Sequence, residues 1–131
     1  MNIPFSPPDI TEEEIEAVAE VMRSGWITTG PKTKELERKM AEFTHTNRGV
    51  CLNSATSCME MALRLFEIGP GDEVIVPAYT YTASASVVCH VGATLRLVDV
   101  EKGTFHIDYA AVESMINENT KAIIPVDLGG V

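Results

Sequence analysis

Basic side chains are scarce in this sequence: Lys and Arg together number 10 against 19 Asp and Glu, a formal net charge of -9 over 131 residues. No cluster of Lys or Arg offers counter-charge to a phosphate backbone or an anionic bilayer, which argues against nucleic acids and membrane surfaces as partners. Cysteine is sparse as well. Cys51, Cys58 and Cys89 form no CxxC pair and have no histidine at metal-ligand spacing. We therefore expect small core residues in a reducing, cytoplasmic setting, and no metal site. No GxGxxG follows a predicted strand and no GxxxxGK[ST] occurs, so dinucleotide and P-loop cradles have no support. His45, His90 and His106 are scattered, none spaced to pair with a Ser or Cys nucleophile, and His90 reads as a partner for the negative end of a helix dipole. The opening MNIPFSPPDI lacks the basic start and apolar run of a secretion leader. The uncharged run from Val74 to Leu95 is broken by Pro77 and Gly92, and reads as strand, loop and helix in series rather than as a membrane span.

What is present is the material of a globular α/β unit. Apolar residues make up 45% of the chain and charged ones 22%, and 9 Gly with 7 Pro are too few for a disordered segment. Thr11-Glu-Glu-Glu14 is a capping box, followed by Ile15, Val18, Ala19 and Met22 at helical spacing and a stop near Gly25. A second helix carries Leu36, Met40 and Phe43 on one face. After Asn47 short apolar runs alternate with helical patterns. Strands are expected at Gly49–Leu52, Glu73–Pro77, Thr94–Val98 and Lys121–Val126. Helices are expected through Met59, Ala62, Leu63 and Phe66, through Ala83, Val87, Val88 and Val91, and after an Asp108 cap through Val112, Met115 and Ile116. Such alternation predicts a parallel sheet buried on both faces, behind a helical arm of residues 1–47, with 48–131 as the α/β region. The last strand is followed by only five residues and no covering helix, so the chain is expected to be the N-terminal piece of something larger.

In such sheets ligands gather at the carboxyl ends of strands, where helices present free N–H groups. Three segments fall there. Asn53-Ser54-Ala55-Thr56-Ser57 has the small residues that let an anion such as a phosphate monoester approach the backbone, although on spacing alone a simple helix cap is the more ordinary reading. Tyr79 and Tyr81, alternate residues of an extended stretch, face opposite ways, so if one enters the core the other can cover a planar ligand; on pattern alone ordinary packing of both is the more usual case. Asp127 stands at the end of the last strand, as a cofactor-orienting acid or as a turn residue before Gly129 and Gly130.

Taken in order, Gly25-Trp-Ile-Thr-Thr-Gly-Pro31, Leu52-Asn-Ser-Ala-Thr-Ser57, Gly69-Pro-Gly-Asp-Glu-Val-Ile-Val-Pro77 with Tyr79-Thr-Tyr-Thr-Ala83, Gly92-Ala-Thr94 with Val98-Asp99, and Ile124-Pro-Val126 make the chain resemble the N-terminal part of the DegT/DnrJ/EryC1/StrS family. That family comprises pyridoxal-phosphate-dependent sugar aminotransferases with the aspartate-aminotransferase fold (fold type I). The resemblance implies that Ser54, Ala55 and Thr56 form a cup for the phosphate of pyridoxal 5'-phosphate and that Tyr81 stacks on its ring. It implies that Trp26 and Thr28 lie on the substrate side, and that a homodimer passes an amino group from an amino acid, glutamate in the first instance, to a keto nucleotide-sugar. Asp127 departs from the family's usual His. The Asp that pairs with the pyridinium nitrogen and the Schiff-base Lys are expected beyond Val131; none of Lys32, Lys34, Lys39, Lys102 and Lys121 replaces the latter, so this stretch alone is expected to be inactive. A sugar dehydratase of the same family, a flavodoxin-like phosphate binder and a non-catalytic α/β assembly domain are the alternatives.

Overall fold

The computed structural model describes residue 3 and residues 6–130. The chain divides into two compact units, Met1–Cys51 and Leu52–Val131.

The first unit holds two helices, α1 (Glu12–Ser24) and α2 (Pro31–Phe43). Local chemistry defines both. The Thr11 hydroxyl accepts from the Glu13 N–H at 3.3 Å while the Glu14 carboxylate accepts from the Thr11 N–H at 2.7 Å, completing the expected capping box. These bonds from Thr11, its hydroxyl first, hold the Glu14 carboxyl below the usual glutamate range. Gly25 closes α1 in the left-handed conformation (φ 73°), which costs a glycine nothing. Pro31 opens α2, where its missing N–H is no loss. The amphipathic faces, however, find little to cover them within the unit. No residue of α1 is buried, Ala41 alone is buried on α2, and Met22 and Phe43 are 68% and 81% exposed.

The second unit contains α3 (Ala55–Leu65), β1 (Glu73–Pro77), α4 (Ala83–His90), β2 (Thr94–Val98), α5 (Tyr109–Met115), β3 (Thr120–Ile123) and a short 3-10 turn at Leu128–Gly130. The strands form a parallel sheet in the order β2-β1-β3. Alternation along the central strand divides the core. Val74 and Val76 join Leu63, Ile68, Val87, Val88 and Ala93 on one face, whereas Ile75 joins Val98, Ile107 and Val112 on the other. Both-face burial therefore holds for β1; the flanking strands leave Leu97 and Ile123 exposed. At the amino edge Glu73 ties β1 to β2 and to the loop after α5, accepting from Arg96 Nη1 at 3.1 Å and from Asn117 Nδ2 at 2.9 Å.

Three expectations are corrected. Gly49–Leu52 forms no strand: the Cys51 N–H is taken by the Glu37 carboxylate at 3.0 Å, and Val50 is exposed, so no ladder develops. The cysteines are not core residues; Cys58 and Cys89 are exposed and Cys51 half-buried, because the apolar sides of α3 and α4 are filled by Leu63 and by Val87 with Val88. His90 lies in the last turn of α4, as expected, and its Nδ1 is also 3.0 Å from the Glu60 carboxylate on α3. Phe66 falls at the C-cap of α3 and is 76% exposed instead of joining the apolar face.

Candidate functional site

Chain direction gathers the candidate residues of the second unit. α3 feeds the amino end of β1 through residues 66–72, and α4 carries the chain from the carboxyl end of β1 back to the amino end of β2. Both helices thus run against the strands, and their N-termini face the carboxyl edge of the sheet. Gly69 beside the Val91 carbonyl and Gly92 beside the Pro70 ring mark the opposite edge, where both helices end. Ser54–Ser57, Tyr79–Thr82 and Asp127 consequently share one edge, the position at which parallel sheets hold ligands.

The turn at Ser54 is built in two layers. The Ser54 hydroxyl accepts from the Ser57 N–H at 3.1 Å and lies 3.0 Å from the Ser57 hydroxyl, so it serves as the helix cap. The Cys58 N–H is taken by the Ser54 carbonyl at 3.1 Å. That leaves the N–H groups of Ala55 and Thr56 without an acceptor among the described residues. Two free amides, a neighbouring hydroxyl on Thr56 and the positive end of an 11-residue helix suit a phosphate dianion, with small side chains leaving the backbone open. Cap and anion cup, alternatives on spacing, are compatible here: Ser54 caps while the two residues after it keep their donors.

The tyrosines do not divide between core and ligand. Tyr79 stacks on Phe105 with ring centroids 5.0 Å apart, outside the core, and Tyr81 is 81% exposed with an unencumbered ring face. The backbone holding Tyr81 is fixed, since its carbonyl accepts from the Ser84 N–H at 3.1 Å and the Thr80 hydroxyl lies 3.0 Å from that of buried Ser84. Asp127 lines a cavity of about 240 Å³ with Glu101, His106 and Tyr109. Sequence reasoning missed that grouping because its members are far apart in the chain and share no local motif. Among the described residues no set of three His, Cys, Asp or Glu side chains is arranged to hold a metal.

In the first unit Trp26 and Thr28 lie together on a cavity of about 410 Å³ in the loop joining α1 to α2. Farther along α3 Glu60 pairs with Arg64 and His90; these partners, Arg64 first, hold its carboxyl below the usual range. No helix among the described residues is long and apolar enough to cross a membrane.

Known proteins share this fold. Spr1654 of Streptococcus pneumoniae, named a sugar aminotransferase and solved in apo, PMP and PLP forms, is 63% identical over 99% of this chain and 33% of its own, with a TM-score of 0.92. An aminotransferase from Psychrobacter cryohalolentis is 34% identical over 95% of this chain and 32% of its own, with a TM-score of 0.86. The UDP-4-amino-4-deoxy-L-arabinose–oxoglutarate aminotransferase of Shewanella sediminis is 44% identical over 98% of this chain. The chain spans about a third of the length of these relatives, 33% in the Shewanella protein. The parallel α/β fold expected from the sequence is thus the one found in solved aminotransferases. With residues 8–131 matching the family throughout, the chain belongs to the DegT/DnrJ/EryC1/StrS aminotransferase family.

Proposed function

We propose that the whole protein transfers an amino group from an amino acid, glutamate in the first instance, to a keto group of a nucleotide-linked sugar, using pyridoxal 5'-phosphate. The observation that carries this reading is the pair of free amides on Ala55 and Thr56 at the carboxyl edge of the sheet. The names and cofactor forms of the relatives support it. When bound, pyridoxal phosphate serves as an electron sink for the substrate carbanion. The residues of this chain then have positioning roles. The Ala55 and Thr56 amides and the Thr56 hydroxyl hold the phosphate, and Ser54 shapes the cup through its cap. Tyr81 supplies a flat face for the ring, while Trp26 and Thr28 contact the sugar.

We also propose that the functional division lies at residue 47, with 1–47 as a helical arm and 48–131 as the cofactor-binding region. The working form is proposed to be a cytoplasmic homodimer. The unpaired Cys51, Cys58 and Cys89 support a reducing compartment, and the exposed apolar residues of α1 and α2 suit a protein partner.

Incubating the whole protein with pyridoxal phosphate, glutamate and a UDP-linked keto sugar tests the reading. The expected result is a new visible absorption band on cofactor binding and formation of the amino sugar with 2-oxoglutarate. Absence of the band would overturn the cofactor role, and loss of a sugar hydroxyl without amino transfer would indicate the dehydratase chemistry of the same family.

A further inference from the structure

The indole of Trp26 is 58% exposed, yet it is anchored. Its Nε1 donates to the Thr29 carbonyl at 3.0 Å, and the Trp26 backbone N–H donates to the Ser24 hydroxyl at 3.1 Å. The ring edge lies directly over Gly30: a Cβ at that position would fall 2.4 Å from Cδ1 and 2.6 Å from Nε1. Both distances are far inside van der Waals contact, and moving the ring would break its bond to Thr29. Gly30 itself has φ -143° and ψ -159°, extended backbone open to any residue. The missing side chain, rather than backbone freedom, is what this position requires.

We propose that Gly30 is a positioning residue, forming the seat that fixes the Trp26 indole as a flat wall of the cavity for the sugar portion of the substrate. The cavity, about 410 Å³, falls within the ordinary range for small-molecule sites. Its lining combines Trp26 with Val21, Ile27 and Pro31, and adds the polar Thr28 and one residue of each charge, Lys32 and Glu20. One apolar plane and a few polar groups suit a pyranose ring with its attached phosphate. The identity of the occupant rests on the amino-transfer reading above; the seat does not.

The test is a double-mutant cycle in the whole protein with Gly30→Ala, Trp26→Ala and both together. UDP-4-amino-4-deoxy-L-arabinose with 2-oxoglutarate is the kinetic probe, and acrylamide quenching of the Trp26 fluorescence, isolated by subtracting a Trp26→Phe variant, is the structural one. Gly30→Ala is expected to make the indole more quenchable and to raise KM about three- to tenfold, the worth of one stacking face, with kcat little changed. In the Trp26→Ala background it is expected to change nothing further. Unaltered quenching, or an equal rise in KM in both backgrounds, would overturn the proposal. Should Gly30→Ala fail to fold, recovery of folding in the double variant supports the seat and failure of both overturns it. If the unaltered protein does not turn over this sugar, the substrate reading fails by itself while the quenching result still decides the seat.

Discussion

The two units use similar helical patterns to different ends. In the second, Val74, Ile75 and Val76 are wholly buried, with α3 and α4 packed over one face of β1 and α5 over the other. In the first, α1 and α2 have equally clear apolar faces, yet Ile15, Val18, Met22, Leu36, Met40 and Phe43 all stay exposed within it. An amphipathic period says that a face is suited to cover, and only the surrounding fold says what covers it. The first unit's helices are specified by caps and breakers, the second unit's sheet by burial.

Substitutions distinguish these two modes of specification. The largest effect is expected from Ile75→Ala at the centre of the sheet, where truncation of a fully buried side chain costs about 2–5 kcal/mol in denaturant unfolding. A shift below about 0.5 kcal/mol would remove β1 from the centre of the account. Gly92→Ala comes next. The position is left-handed (φ 78°) and an added Cβ would press on the Pro70 ring at 3.2 Å, so a loss of about 1–3 kcal/mol is expected in the same measurement. Thr11→Ala probes the other mode, removing the cap of a helix without buried residues; a loss of about 1 kcal/mol in the stability of α1, read by hydrogen exchange of its first turn, is expected.

The smallest effect concerns Glu60. Its folded pKa lies below its unfolded value, so the stability it adds is present above the ordinary glutamate range and disappears as pH falls through the lowered value. The group is at the surface, and Glu60→Gln is expected to flatten a shallow acid-limb dependence of the melting temperature by lowering it slightly at neutral pH while leaving it unchanged at acid pH. A large neutral-pH loss would contradict a half-buried surface placement.

These differences also mark what was legible in the sequence. Glu73–Pro77 and Thr94–Val98 are readable as strands because short stretches rich in Val, Ile and Leu lie between strong breakers, and Thr11, Asp108 and Gly92 act on their immediate neighbours. The strand expected at Gly49–Leu52 failed because pairing depends on a distant partner, which apolar composition does not supply. His90 with Glu60, 30 residues apart, and Tyr79 with Phe105 are likewise products of the fold. At the candidate site the Ser54 cap could be read locally. The free donors of Ala55 and Thr56 became apparent only once the bonds of Ser57 and Cys58 were known.

The anion cup is tested most directly by Ala55→Pro in the whole protein, with pyridoxal phosphate affinity measured by absorbance titration and folding checked by circular dichroism. Proline suits the first helical position, and the extended Ser54 (φ -164°, ψ 157°) accepts a proline after it, so the helix should persist with one donor removed. An unchanged fold and a roughly 10- to 100-fold loss of affinity are expected, the worth of one hydrogen bond to a charged group. A folded variant that binds the cofactor as tightly as the original protein would contradict the anion cup.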